Sequence, residues 1–292
     1  MNDYLLAAVL GIIEGVTEFL PVSSTAHLRI AEALLGVDLR SGYWKMFTIV
    51  IQLGAILCLP VYFRRRIAEF LASFPRGRKG DRTWLTHPLS LVLIAFVVTA
   101  LPSLALVKII GKHLESLVVM GSALVVGGVV MWVVDAAYGA PHPGRPFRTQ
   151  DMEEMSLPQA VWIGACQILS AVFPGTSRSM ATIAAGQVAG MTRASALEFS
   201  FFLSMPTMAA ATLYDLYKSV VPHGGENPLG STHIDAHGWV LLGIGFVVSF
   251  LVAYVSVAWF MRWVRTRGFV PFAAYRILAG VAVLAWALGW LG

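Results

Sequence analysis

GIIEGVTEFLPVSS, residues 11–24, decides how this chain has to be read. Ten uncharged residues, 4–13, lead toward it as into a membrane helix, but Glu14 and Glu18 then follow four apart and Pro21 ends the helix. Residues at i and i+4 share one helix face. A carboxylate facing lipid unpaired at a helix centre costs roughly 2.5–3.5 kcal/mol, so both must face something polar. Residues 4–20 are therefore a poor simple span and read as re-entrant: a helix, a break at Pro21 and a returning helix.

A second stretch repeats the pattern. GACQILSAVFPGTS, residues 164–177, has its proline at 174, and with each proline as origin both stretches carry Gly ten before and Glu14 or Gln167 seven before. Thr17 or Ser170 falls four before, and Ser24 or Ser177 three after, an offset of 153 residues. Residues 160–173 are likewise too short to span before Pro174-Gly175 interrupt them.

Between and beyond these segments the chain is a membrane protein. Of its 292 residues 57% are hydrophobic and 13% charged, too few charges to cover a soluble domain of that length. Charge-free runs at 46–63, 88–107, 116–134, 199–214 and 238–261, with 269–291 interrupted by Arg276 alone, give six helical spans. Three spans separate the two broken segments, and an odd number turns the second copy over. The expected fold is all-α and polytopic: six transmembrane helices plus two re-entrant helix-break-helix segments related by an inverted-topology repeat. Residues 1–292 form one membrane domain with halves 1–138 and 139–292.

The net charge of +5 resides in loops and needs no nucleic-acid partner. Arg64, Arg65, Arg66, Arg76, Arg78, Lys79 and Arg82, against Glu69 and Asp81, place the loop after the first span in the cytoplasm. The segments 139–157 and 262–268 then share that side, while 109–115, 218–237 and both termini face outward. Cys58 and Cys166 lack metal or redox spacing and read as ordinary buried thiols.

Two helix N-termini facing each other make an anion site, because their first N–H groups are unpaired and carry partial positive charge. Ser23, Ser24 and Thr25 at one break and Thr176, Ser177 and Ser179 at the other add hydroxyls, and Arg178 adds a planar cation suited to phosphate. Glu14 and Glu18 offer oxygen ligands for a hard divalent cation, Mg²⁺ or Ca²⁺. Ser24 and His27, three apart, read as a nucleophile with its proton partner, the alternatives being Ser23 as a plain helix cap and His27 as a core histidine. Arg276 reads as a side chain snorkelling from the cytoplasmic end of its span.

EGVTEFLPVSSTAH (14–27) together with PGTSRSMAT resembles the bacitracin-resistance type of undecaprenyl-pyrophosphate phosphatase, and GMTRASALEFSFFLSMP (190–206) and FAAYRILAG (272–280) extend the likeness over nearly the whole chain. The resemblance implies a multi-pass protein of the bacterial inner membrane that removes the terminal phosphate of undecaprenyl pyrophosphate, recycling the carrier lipid for peptidoglycan synthesis. It implies a divalent cation and an active site open to the periplasm. Carried over residue by residue, the acidic motif falls on Glu14 and Glu18, the serine and histidine on Ser24 and His27, and the phosphate-binding motif on Ser177, Arg178 and Thr182. Ala26 and Met180 stand where that family usually has Gly. Membrane lipid surrounds such a protein, and the sequence is compatible with a homodimer. The competing class is a lipid-phosphate flippase or transporter, since inverted repeats with broken helices also build carriers. A serine beside a histidine and two carboxylates favours hydrolysis.

Overall fold

The computed structural model describes residues 2–37, 42–110, 116–142, 144, 146–220 and 234–290. The connections 111–115 and 221–233, both assigned to the exterior by charge, and Arg145 lie outside the described residues. The described chain is helical: α1 (Asp3–Thr17), α2 (Ser24–Leu35), α3 (Gly42–Tyr62), α4 (Arg64–Ser73), α5 (Pro88–Ile110), α6 (Leu117–Tyr138), α7 (Leu157–Val172), α8 (Arg178–Val188), α9 (Arg193–Val220), α10 (Ala236–Thr266) and α11 (Val270–Ala287). Six of them, α3, α5, α6, α9, α10 and α11, are long and apolar enough to cross a membrane, and they coincide with the six charge-free runs. The protein is a polytopic α-helical membrane protein.

The chain divides into two compact units, each assembled from separate stretches. The first takes Met1–Phe19, Ser24–Tyr62 and Ser204–Ala258; the second takes Leu20–Ser23, Phe63–Leu203 and Trp259–Gly292. Pro21 thus belongs to a different unit from the helices on either side of it.

In the first unit α1 lies directly on α10 because Gly11 and Gly15 leave room for it. A Cβ on Gly15 would come within 2.8 Å of the Ser249 carbonyl and of Val252 Cβ, and one on Gly11 within 2.9 Å of the Gly245 carbonyl. Small residues one turn apart are what allow helices to approach this closely in a membrane, where packing rather than hydrophobicity drives association. Leu6, Leu10, Phe47, Ile51 and Leu241 close the core around that contact, and Ser249 Oγ donates to the Ile51 carbonyl at 2.7 Å.

The second unit is organised by close crossings of the same kind. Gly121 and Gly280 bring α6 against α11, and Gly164 brings α7 against α5, where Thr99 Oγ1 donates to the Gly164 carbonyl at 2.8 Å. Trp162 Nε1 on α7 donates to the Ala185 carbonyl on α8 at 3.1 Å and holds that helix pair together. Two polar hubs fix the connections. Asp135 accepts from Arg193 Nε (2.6 Å), Gln187 Nε2 (3.1 Å) and the Phe269 N–H (2.9 Å). Arg66 on α4 donates to Asp151 (2.5 Å), Glu153 (3.2 Å) and Glu198 (3.0 Å).

Gly15→Ala is expected to lower the stability of the detergent-solubilised protein by about 1–3 kcal/mol, because the added methyl meets backbone that cannot yield. Gly243→Ala, on the same unit's α10 with open space around it, should be neutral or stabilising, since Ala favours helix over Gly by roughly 1 kcal/mol. Thermal unfolding of the two variants side by side checks both; equal midpoints would refute the packing argument.

Candidate active site

In the first unit α1 carries the carboxylates to its own C-terminal end. Glu18 caps the helix, its N–H bonding the Glu14 carbonyl at 2.9 Å, and both side chains are buried, at 1% exposure for Glu14 and 9% for Glu18. Glu14 Oε2 is enclosed and has no hydrogen-bond partner among the described residues. A buried carboxylate oxygen left in that condition is costly and calls for a proton or a cation. Ser24 opens α2 and its hydroxyl donates to Glu18 Oε2 at 2.5 Å, so the serine's proton is directed at a carboxylate. His27, half-buried, sits one turn further along α2, and Thr25 is exposed.

The second unit holds the two chain breaks. Around Pro21 the Val22 N–H bonds the Leu20 carbonyl at 2.8 Å, a three-residue turn centred on the proline. At the other break the Thr176 N–H bonds the Phe173 carbonyl at 3.2 Å across Pro174 and Gly175, and Gly175 has φ +92. Proline followed by a positive-φ glycine is the signature of a type II turn. Each break then ends in a serine held at positive φ, Ser23 at 75° and Ser177 at 67°, the two non-glycine residues with positive φ among those described. Such conformations cost of order 1–3 kcal/mol each and persist only where surrounding contacts impose them.

By conformation, then, Ser23 matches Ser177 and Ser24 matches Arg178 as the first residue of its helix, one residue away from the register set by aligning the prolines. Gly175 is the extra residue: it completes a longer turn, which the proline origin could not reveal.

The breaks are tied to one another. Ser179 Oγ donates to the Leu20 carbonyl at 3.0 Å and lies 3.1 Å from Ser177 Oγ, which accepts the Met180 N–H at 3.4 Å as the cap of α8. Thr182 is buried, its hydroxyl 2.9 Å from the Arg178 carbonyl and 2.7 Å from Ser200 Oγ, so it braces the first turn of α8. Arg178 itself is half-buried, with Nη1 3.5 Å from the Ser200 carbonyl.

Arg276 does not snorkel. It is fully buried, and among the described residues its hydrogen-bond acceptors are all backbone carbonyls. Nη1 donates to Pro21 at 3.1 Å, and Nη2 lies 3.0 Å from Gly175, 3.0 Å from Thr176 and 3.1 Å from Ala123. One side chain on α11 thus joins both breaks. It has room because Gly127 on α6 bears no side chain; a methyl there would overlap the guanidinium. Across a trans peptide, C=O and the following N–H point in opposite directions. Turning the Thr176 carbonyl toward Arg276 therefore turns the Ser177 N–H away from it, as an anion-binding helix start requires. A lone charge in an otherwise charge-free run was the sequence signal for this residue.

This multi-pass helical membrane protein thus carries, in its first unit, paired buried carboxylates with a serine bonded to one of them and, in its second, a hydroxyl-rich helix start that begins with an arginine. Residues 7–282 match the family model described as bacitracin resistance protein BacA, and the chain belongs to that family. It is 67% identical over 290 residues to the undecaprenyl-diphosphatase of Koribacter versatilis (strain Ellin345), covering 99% of each chain. It is 42% identical to undecaprenyl-diphosphatase 2 of Rhodospirillum rubrum, over 98% of this chain and 95% of that one. With the undecaprenyl-diphosphatase of Caldanaerobacter subterraneus subsp. tengcongensis it shares 36% identity over 97% and 96%.

Two substitutions test the breaks. Ser177→Gly should leave the protein about 1–3 kcal/mol more stable than Ser177→Ala, because both lose the hydroxyl while only glycine relieves the backbone. Arg276→Met should destabilise by roughly 3 kcal/mol or more by leaving buried carbonyls without donors, with Arg276→Lys recovering part of the loss. Thermal melts of the purified variants decide each case, and an unaltered midpoint for Arg276→Met would remove it as the tie between the breaks.

Proposed function

We propose that this chain removes the terminal phosphate of undecaprenyl pyrophosphate, giving undecaprenyl phosphate and inorganic phosphate and so recycling the carrier lipid for peptidoglycan synthesis. The observation that carries the reading is end-to-end similarity, 67% over 99% of both chains, to an undecaprenyl-diphosphatase. The site's chemistry agrees with it, whereas transport of the same lipid would need no serine hydroxyl directed at a carboxylate.

Ser24 is the nucleophile. Its proton passes to Glu18 as Oγ attacks the terminal phosphorus, the bond from that phosphorus to the bridging oxygen breaks, and undecaprenyl phosphate leaves. Water then attacks the same phosphorus and passes a proton to His27, while Glu18 returns its proton to Ser24 Oγ as the bond from Oγ to phosphorus breaks and inorganic phosphate is released. Arg178 and the Ser177–Ser179 helix start bind the phosphate oxygens, with Ser23 and Thr25 as supporting hydroxyls, and stabilise charge as it develops, while Thr182, buried and bonded to the Arg178 carbonyl and near Ser200, supports that helix start from behind. Glu14 and Glu18 fit a hard cation: Glu14 Oε2 is buried and unsatisfied, and Mg²⁺ or Ca²⁺ bound by one or two carboxylates would neutralise pyrophosphate charge.

The two helix-break-helix segments are re-entrant and related by inverted topology. In support, α1, α2, α7 and α8, of 15, 12, 16 and 11 residues, all fall short of the roughly 20 needed to span. The arginine-rich α4 region faces the cytoplasm, and the site opens to the periplasm of the inner membrane, on the same side as both termini.

Purified protein should release phosphate from undecaprenyl pyrophosphate with Mg²⁺ or Ca²⁺ and stop with chelator. Glu18→Gln and Arg178→Ala should each lose on the order of 10²–10³-fold in rate. Labelled substrate should leave a phosphorylated Ser24 in the unmodified protein and none in Ser24→Ala; direct incorporation of solvent oxygen without a phosphoenzyme would replace Ser24 by water as nucleophile. Lipid-reconstituted protein that binds the lipid but releases no phosphate would overturn the hydrolase reading in favour of transport.

A further inference from the structure

Beside the second break lies a cavity of about 640 Å³ lined by α6, α7 and α8. Cavities of roughly 300–1,000 Å³ are the size that holds small-molecule ligands. Among the described residues no charged side chain lines this one, and its hydroxyls are those of Ser122 and Thr176. Between Met180 and Val188 its α8 side is formed of the small residues Ala181, Ala184 and Ala185, while Leu169 and Phe173 contribute larger apolar surface from α7.

Its position is what distinguishes it from an ordinary lipid-facing crevice. One end is Thr176, whose carbonyl bonds Arg276 and which directly precedes the capping Ser177 and Arg178. From there it follows α8 as far as Val188, about 15 Å along the helix axis. A ligand with its phosphates on the start of α8 and an apolar chain attached has this groove leading directly away from the head.

We infer that this groove seats the head-proximal part of the substrate's polyprenyl chain, an inference that rests on the reading of the substrate as a polyprenyl pyrophosphate. In a membrane the bilayer is as apolar as the groove, so the hydrophobic effect does not distinguish them. Recognition comes from van der Waals contact with a methyl-branched chain, and the small α8 residues leave space for those branches. Met180, buried at the head end of the groove, borders the first isoprene unit and fixes where the chain turns away from the phosphates.

Two measurements test this. Ala184 lies about 9 Å along α8 from Arg178, beyond the reach of a five-carbon tail. Ala184→Trp should therefore lower kcat/KM for undecaprenyl pyrophosphate about ten-fold more than for dimethylallyl pyrophosphate, and an unchanged ratio would overturn the assignment. The second uses the unmodified chain, in which Cys166 lines the groove and Cys58 is fully buried. Undecaprenyl phosphate should slow alkylation of Cys166 by an apolar maleimide at least several-fold, and inorganic pyrophosphate should not. If undecaprenyl phosphate gives no protection, the groove holds bilayer acyl chains and the proposal fails. Protection without ligand that disappears on dilution to monomer would assign the groove to a second copy of the chain, and the proposal fails equally. Protection by undecaprenyl phosphate in a protein that hydrolyses neither pyrophosphate would uphold the groove while refuting the hydrolase reading.

Discussion

A helix broken inside an apolar interior exposes carbonyls and N–H groups that no water reaches, and each needs a partner. Here that requirement is met by one guanidinium. Arg276 takes the carbonyls of Pro21, Gly175 and Thr176, so two breaks 153 residues apart in sequence are stabilised by the same side chain. Burying an arginine without a carboxylate is itself expensive, and the compensation comes from the dipoles of several carbonyls acting together. Among the described residues no carboxylate bonds the guanidinium, so its positive charge remains next to the start of α8. A carboxylate partner would have satisfied the guanidinium equally well but would have repelled the phosphate oxygens proposed to bind at that helix start.

The same constraint accounts for the strained serines. With the carbonyls of Pro21 at one break and of Gly175 and Thr176 at the other directed at Arg276, the chain must swing into a new helix within two residues, and it does so at positive φ in both Ser23 and Ser177. Glycine would adopt that conformation at less cost, but it would bring no hydroxyl. At position 177 the hydroxyl caps α8 and sits beside Ser179, which in turn bonds the first break. Backbone strain is therefore retained where a polar side chain does more than a relaxed backbone would.

Much of the architecture was legible in the sequence because it follows from one-dimensional rules. Span length and the absence of charge located all six long helices, and Pro21 and Pro174-Gly175 marked both breaks. The burial of Glu14 and Glu18 followed from the cost of a carboxylate in lipid. What escaped depends on side-chain partners distant in sequence or on the length of a turn. Spacing suggests His27 as a partner for Ser24, and the turn after Glu18 adds a carboxylate that spacing does not reveal. Arg276 escapes for a related reason: close to a helix end, lipid snorkelling and an interior role look alike in sequence. The rule that an intramembrane charge marks a polar partner, which reads the glutamates correctly, holds for the arginine too.

The composition of α8, RSMATIAAGQV, brings these constraints together. Its start carries Arg178, Ser179 and the cap from Ser177, and the residues it places on the groove beyond them, Met180, Ala181, Ala184, Ala185 and Val188, are all apolar. A lipid pyrophosphate has the same division, a dense charge at one end and a methyl-branched hydrocarbon behind it. A helix polar throughout would have left the chain unmatched, and one apolar throughout could not have formed a phosphate site. The N-terminal dipole concentrates the electrostatic contribution within the first turn, because its field falls off within about that distance. The remainder of the helix is then free to be selected for shape, so head-group affinity and chain recognition can change independently along a single element.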